Sequence, residues 1–335
     1  MNNPSVSIII PVYNVEPYVE ACIKSVMCQT YIGSIECIVV DDCGTDNSMI
    51  IVQKMIAYYN GPVRYKILHH DHNRGLSSAR NTGMDAATGD YLFFLDSDDE
   101  IREDSIEKLT KPIEKETFDI VVGDMQIIGN NELYPRLKLN MNDKEILRGR
   151  EIEVAYRIRW KMMAQNKLYR TAFVREQKLR FKEGLIHEDE LWSLQIACLA
   201  KSLVAVKHFT YLYYVRQGSI ISVNTPQRTA KMYMAIVAEM RNFLIGRDIF
   251  SVRAYHLIMH FFFQSLKPSL YDKTQLAQVY SQLYKATRFP LRYRIMAGGL
   301  NLNTQIKNLL FLLPPKISIS LIYWYAHIFN KTVVQ

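Results

Sequence analysis

The stretch GDYLFFLDSDDEI, residues 89–101, runs from apolar, strand-like sequence straight into a cluster of acids. Tyr91-Leu92-Phe93-Phe94-Leu95 puts large apolar side chains at consecutive positions, the pattern of a strand covered on both faces. Asp96, Asp98, Asp99 and Glu100 follow where that strand should leave its sheet. Like charges this close repel. They belong either in a solvated loop or around a cation. A hard divalent ion such as Mg2+ or Mn2+ suits the second reading, because it takes oxygen ligands and keeps positions open for phosphate. A calcium-binding EF-hand loop is excluded: the sixth residue counted from Asp96 is Ile101, where that loop needs Gly.

On the N-terminal side, strand and helix patterns alternate. VSIIIPVYN (residues 6–14) is an apolar strand ending in a turn, and Val19, Cys22, Ile23 and Val26 form the helical stripe that follows. IECIVVDD is a second strand, TDNSMIIVQKMIAYY a helix with Thr45 or Asp46 as its cap, and VRYKILHH a third strand. A small-residue helix in GLSSARNTGMDAATG leads into the 91–95 strand. A helix over 103–115 and the strand DIVVGD follow it. Strands separated by helices imply a mostly parallel sheet, whose ligands bind beyond the carboxyl ends of the strands. Tyr13-Asn14, Asp41-Asp42 and Asp96–Asp99 all fall at that edge. Short strands return between residues 166 and 223, and beyond about 226 the sequence reads as helical.

The chain has 335 residues, enough for two domains or one with a large appendage, and 49% of them are apolar. Five cysteines without a C-x-x-C pair argue against a disulfide framework or structural zinc and fit a reducing cytoplasm. The N-terminal sequence has no basic segment and too short an apolar run for a signal peptide. Net charge is +8, unevenly placed: residues 241–335 carry twelve Lys and Arg against two Asp and Glu, while the first 240 sum to −2. A basic half points to an acidic partner or to a plain solvated helical face. Two readings of these helices stand side by side: they dock on the anionic surface of a membrane without crossing it, or they pack on the N-terminal part of the chain with their aromatics buried. A spanning helix needs about 20 apolar residues, and Pro314-Pro315-Lys316 cuts the longest apolar run. Tyr323, Trp324 and Tyr325 suit a headgroup boundary.

Other segments carry candidate chemistry. Asp42 can accept a hydrogen bond from a uracil N–H, or simply cap the next helix. Arg80 and Asn81 lie on the small-residue helix, where the arginine balances acidic neighbours or a phosphate. EGLIHEDELW (residues 183–192) concentrates His187, Glu188, Asp189 and Glu190, a general base or a charged first helical turn.

SIIIPVYN, VDDCGTD, NRGLSSARNTG, GDYLFFLDSDD and NKLYR…FKEGLIHEDELW, in this order over residues 5 to about 195, resemble the inverting family 2 glycosyltransferases of cell-surface polysaccharide synthesis. YYVRQGSI extends the likeness towards residue 220, and Cys43-Gly44 departs from the commoner Gly-Ser. The resemblance implies a GT-A fold: a mostly parallel α/β sheet flanked by helices and a helical C-terminal region. Residues 1–225 would be catalytic, with a nucleotide-binding half (1–125) and an acceptor half (126–225), and 226–335 the basic helical region. It implies a nucleotide-sugar donor, UDP-linked, bound by Pro11, Tyr13, Asn14, Asp42, Arg80, Asp96, Ser97 and Asp98. Asp98 would be the direct ligand of Mn2+ or Mg2+, with Asp96 beside it, and Asp189 the catalytic base. Glu188, Trp192, Arg216 and Ser219 would serve the acceptor or a loop over the diphosphate. The acceptor would be a saccharide or lipid-linked saccharide, and the location cytoplasmic, peripheral on the inner face of the membrane.

Rival readings are weaker. A nucleotidyltransferase wants a basic Gly-rich loop where PVYNVEPYVE stands, and no G-x-G-x-x-G follows a strand as a dinucleotide fold requires. A nucleic-acid-binding module has the C-terminal charge but no motif. A nucleotide-sugar-binding protein without catalysis is the remaining alternative, and intact Asp98 and Asp189 argue against it.

Overall fold

The computed structural model describes residues 3–129, 137–215, 226–286, 289, 309–310 and 313–329. The chain forms two compact units. One comprises Met1–Gly184 with Glu188–Gln217, the other Leu185–His187 with Gly218–Gln335.

The first unit opens with β1 (Val6–Val12), α1 (Val19–Met27), β2 (Ile35–Asp41), α2 (Ser48–Ala57), β3 (Arg64–His69), α3 (Leu76–Ala86) and β4 (Tyr91–Phe94). It continues with α4 (Ser105–Thr110), β5 (Ile120–Ile128), β6 (Ile146–Arg148), α5 (Arg150–Ala155), β7 (Lys167–Arg170), α6 (Thr171–Glu176), α7 (Glu188–Leu199) and β8 (Ser202–Tyr214). The strands make one sheet in the order β3-β2-β1-β4-β7-β5-β8-β6. The run β3-β2-β1-β4 is parallel, as the alternating pattern requires. Past it the sheet is mixed: β7 runs antiparallel to both β4 and β5, β8 is parallel to β5, and β6 is antiparallel to β8.

Residues 6–12 and 91–94 are buried throughout, which explains their unbroken apolar sequence. The edge strand β3 alternates exposed and half-buried residues and carries Arg64 and Lys66, charges that discourage pairing with another chain. Pro11 lies inside β1 without breaking a ladder. Ile9 O accepts from Leu95 N on the β4 side, and Pro11 faces that same side, where β4 has already ended at Phe94. Helix α3 lies close on β1 because Gly83 has no side chain: a Cβ there would collide with Ile9. The start of α2 departs slightly from expectation. Asn47 precedes it, while Asp46 Oδ1 accepts from Ser48 N (3.1 Å) and Thr45 N donates to Asn14.

The second unit holds α8 (Pro226–Gly246), α9 (Val252–Leu266), α10 (Lys273–Ala286) and α11 (Pro315–Phe329). Ser251 caps α9, accepting from Ala254 N at 2.9 Å. The core joins Ile236, Met240 and Leu244 of α8 to Ile258 and Phe262 of α9 and Leu276 and Tyr280 of α10. Among the described residues no helix is long and apolar enough to cross a membrane.

Candidate active site

The carboxyl ends of β1, β2 and β4 are laced together by their loops. Asn14, at φ 49°, accepts from Thr45 N through Oδ1 (2.7 Å), and Val15 N donates to Ser48 Oγ (2.9 Å). Gly44 fits against Asn14, whose backbone N and Oδ1 would lie within about 3 Å of any Cβ. Cys43 stands at φ 60°, a conformation that costs a residue with a Cβ roughly 1–2 kcal/mol. Tyr13 is exposed at this edge, whereas Pro11 is buried in its strand.

The two acids of Asp41-Asp42 have different surroundings. Asp42 Oδ1 takes His70 Nδ1 (2.6 Å) and Arg74 N (2.8 Å), and Oδ2 accepts from Gly75 N (2.8 Å). With its side chain 4% exposed, Asp42 ties the loop after β3 to β2. Only one lone pair on Oδ2 remains, away from solvent. Asp41 keeps 17% of its side chain exposed beside His69 and Cys43 N. Of the two, Asp41 is the more accessible to a ligand.

Beyond β4, the carboxylate oxygens of Asp96, Asp98 and Asp99 come within 4.8 Å of one another, the metal-type cluster found among the described residues. Asp99 joins the two acids that the sequence motif names, and stands in the same D-S-D-D run. Asp99 Oδ2 accepts from Tyr211 OH (2.8 Å) and Oδ1 from Tyr214 N (2.9 Å), both on β8. Tyr211 OH in turn accepts from Asp96 N (3.2 Å). Burial, then the charges of Asp98 and Asp96, push Asp99 well above the usual carboxylate range. Three oxygen ligands whose mutual repulsion a cation would relieve fit Mn2+ or Mg2+. Ser97 is buried between them.

Arg80 meets acidic neighbours, the first of the two roles its position suggests. Its guanidinium is 1% exposed and offers nothing to a phosphate in solvent. It donates instead to Asp96 Oδ1 (2.8 Å) and Glu188 Oε1 (2.6 Å), with its carbon 5.1 Å from the Phe181 ring centroid. Burial opposes its charge, but Asp96 and Glu188 hold its pKa above the ordinary arginine value. One buried cation thus joins the exit of β4 to the first turn of α7. Gln165 adds a second tie, its Nε2 donating to Asp96 Oδ2.

In that first turn Glu188 is paired with Arg80, and Glu190 with Arg157 and Tyr156 OH. Asp189 between them forms no ion pair among the described residues and stays half-buried, so it retains solvent access. Burial pushes its pKa well above the usual range, Glu188 and Glu190 push it further, and Arg80 opposes them. A carboxylate raised in this way suits proton abstraction at neutral pH. Below it, Lys167 is 2% exposed and donates to Met163 O and Gln165 O (3.3 Å for the second). Burial lowers this lysine to about 7, with Asp189 pulling the other way.

Trp192 does not serve an acceptor. It is 1% exposed, stacked on Phe181 (centroids 4.2 Å apart) and packed edge-on to Phe94 and Tyr169. One turn into α7, its position belongs to the core face of the helix. Arg216 and Ser219 lie outside the described residues.

Residues 7–177 match the family model described as Glycosyl transferase family 2. Glycosyltransferase GlyA of Streptococcus pneumoniae serotype 4 is 32% identical over 232 residues, which cover 66% of this chain and 32% of GlyA. The chain therefore spans about a third of that relative's length. EpsJ of Bacillus subtilis, described as an uncharacterized glycosyltransferase, is 32% identical over 245 residues, covering 70% of this chain and 69% of EpsJ. Among solved structures, S. aureus TarS 1–349 in complex with UDP-GlcNAc is similar with a TM-score of 0.69 at 20% identity, over 95% of this chain and 89% of that one. Mannosyltransferase PcManGT from Pyrobaculum calidifontis, in complex with GDP-Man and Mn2+, gives 0.57 at 15% identity, over 97% and 88%. At such identities the likeness establishes the shared GT-A fold.

Proposed function

The chain belongs to glycosyl transferase family 2, and from that premise we propose that it moves a sugar from a nucleotide donor, UDP-linked, to a hydroxyl of a saccharide or lipid-linked saccharide in cell-surface polysaccharide synthesis. An anionic membrane is the surface on which a lipid-linked acceptor would be met. The observation that supports the reading is the bridge from Asp96 through Arg80 to Glu188, which ties the acidic cluster to the turn that carries Asp189. Asp98, Asp96 and Asp99 would hold Mn2+ or Mg2+, and that ion would supply Lewis-acid stabilisation to the departing diphosphate. The donor's base would lie against Tyr13 and Asn14 at the β1 and β2 exits, with Asp41 carrying the accessible oxygens. Asp189 would take the proton of the acceptor hydroxyl as its oxygen attacks the anomeric carbon opposite the leaving group, inverting that centre. Glu188, held by Arg80, would position the turn that carries Asp189.

A panel of nucleotide sugars incubated with Mn2+ or with chelator tests the proposal. Metal-dependent release of nucleoside diphosphate from one donor, faster with acceptor saccharide present, is the expected result. Saturable donor binding with no release under any condition would instead identify a binding protein without catalysis.

A further inference from the structure

Helix α11 is apolar on the side that faces its own unit and apolar again on the side that faces water. Ser318, Ile319, Ile322 and Ala326 are buried. On the opposite face Ile317, Leu321, Trp324 and Tyr325 are between 43% and 62% exposed. Ile317, Leu321 and Tyr325 recur every fourth residue and Trp324 follows Leu321 by three, which keeps all four on one face of a helix with 3.6 residues per turn. Tyr271, also exposed, adds to the rim, its ring meeting His327 of α11 edge-on at 5.7 Å. Single exposed apolar residues need no explanation, but an aligned stripe ending in Trp and Tyr marks a surface that is covered in use.

Charge decides what covers it. The exposed polar groups of this unit include Lys267, Lys273, Lys285 and Lys316, and the last stands one residue before the stripe. The sequence from residue 241 onward is +10. A second copy of the chain would bring the same positive field to the contact and be repelled by it. A surface of anionic lipid satisfies both features: its boundary region accepts Trp, Tyr and branched side chains, and its headgroups attract lysines. At 15 residues α11 is too short to span. We propose that α11 lies in the plane of an anionic membrane, inserting Ile317, Leu321 and Trp324 at the headgroup boundary with Lys316 among the lipid phosphates. The proposal names the docking face for the membrane partner of the proposed function and rests on that partner, but not on the transfer chemistry.

Trp324 makes the test direct. The chain has three tryptophans; Trp160 and Trp192 are buried while Trp324 is 59% exposed, so quenching by lipid reports on Trp324. Full-length protein is titrated with vesicles of phosphatidylcholine containing 30% phosphatidylserine or none, with brominated acyl chains, at low and high salt. Quenching is expected with the anionic vesicles alone and should weaken as salt rises. Leu321→Ser with Ile317→Ser should lower partitioning in co-sedimentation at least tenfold, and Lys316→Gln about fivefold, the worth of one near-surface lysine. Both sets of changes lie on exposed positions and leave the buried face of α11 intact. Binding that the Leu321/Ile317 variant retains in full overturns the docking face while leaving the membrane partner standing. Absence of binding to either vesicle overturns both, without bearing on donor turnover. Concentration-dependent dimers that the same variant dissolves would assign the stripe to a second copy and reject the lipid.

Discussion

The acidic turn of α7 shows how neighbouring carboxylates acquire different work. Glu188 and Glu190 are each held by an arginine, and Asp189 is left raised and half-open between them. Asp189→Asn keeps the shape and removes the proposed base, so donor should still bind while transfer falls roughly 10²–10⁴-fold in steady-state assays. Because burial raises this carboxyl, it loses its proton late, and kcat/KM should rise with pH through a limb above the ordinary carboxylate value near 4. An acid limb at or below pH 4 would remove Asp189 from the role. Lys167, whose charge Asp189 favours, should tune that limb. Removing its charge with Lys167→Met should move the limb to higher pH, since a nearby cation favours the ionised base. Stability has its own sign here. Lys167 sits at about 7 against an ordinary value near 10.4, so between those values the unfolded chain binds more protons and stability rises with pH. Well below pH 7 the cost is full, about 5 kcal/mol, and at pH 7 itself it is about 4 kcal/mol. The methionine escapes it but leaves Met163 O and Gln165 O without their donor, at about 1–3 kcal/mol each. The two nearly cancel, and urea melts at pH 7 should differ by no more than about 2 kcal/mol, with the wild type gaining on the variant towards pH 10.

Among the elements, α3 and β1 are joined by the absence of a side chain. Gly83→Ala should gain up to about 1 kcal/mol of helix propensity. It should lose more, about 1–3 kcal/mol, by driving a methyl into Ile9. A net loss in the denaturation midpoint is expected, and a stabilised variant would mean that α3 is not seated on β1 as described. Elements of this kind were legible in advance. Strands β1 to β4 and helices α1 to α3 announce themselves by apolar runs, 3.6-residue stripes and Gly or Asp punctuation, because their order is set by local pattern. The antiparallel placement of β7 between β4 and β5 was not legible, since NKLYR has no feature that names its neighbours. The site divides in the same way. Acids at strand exits are visible as clusters. The Asp99–Tyr211 bond spans 112 positions, and only the fold brings its ends together. Trp192 points into the core rather than the site for a plain reason: sequence shows which residues lie near an edge, whereas helix phase decides which way they point.

At the scale of the whole molecule, a chain of net charge +8 keeps its densest acid at the site proposed for an anionic donor. A nucleoside diphosphate meeting Asp96, Asp98 and Asp99 without a cation is repelled at close range, and a divalent ion turns that repulsion into a bridge. The two should therefore bind together far better than either alone. Ligand that binds only the folded state stabilises it by RT ln(1 + [L]/Kd), about 2.7 kcal/mol at a hundredfold excess over Kd. For a folded unit of 150–250 residues that is a rise in Tm of roughly 5–10 °C, if each kcal/mol moves it by about 2–4 °C. UDP with Mn2+ should produce such a rise in a thermal melt, UDP with chelator none, and Mn2+ alone a small one. In Asp98→Ala the joint rise should disappear while the baseline Tm stays within a few degrees, because the residue is partly exposed rather than part of the core. Equal shifts from UDP with and without metal, or a joint shift that survives Asp98→Ala, would mean that the nucleotide is held elsewhere and that the acidic cluster is a solvated loop.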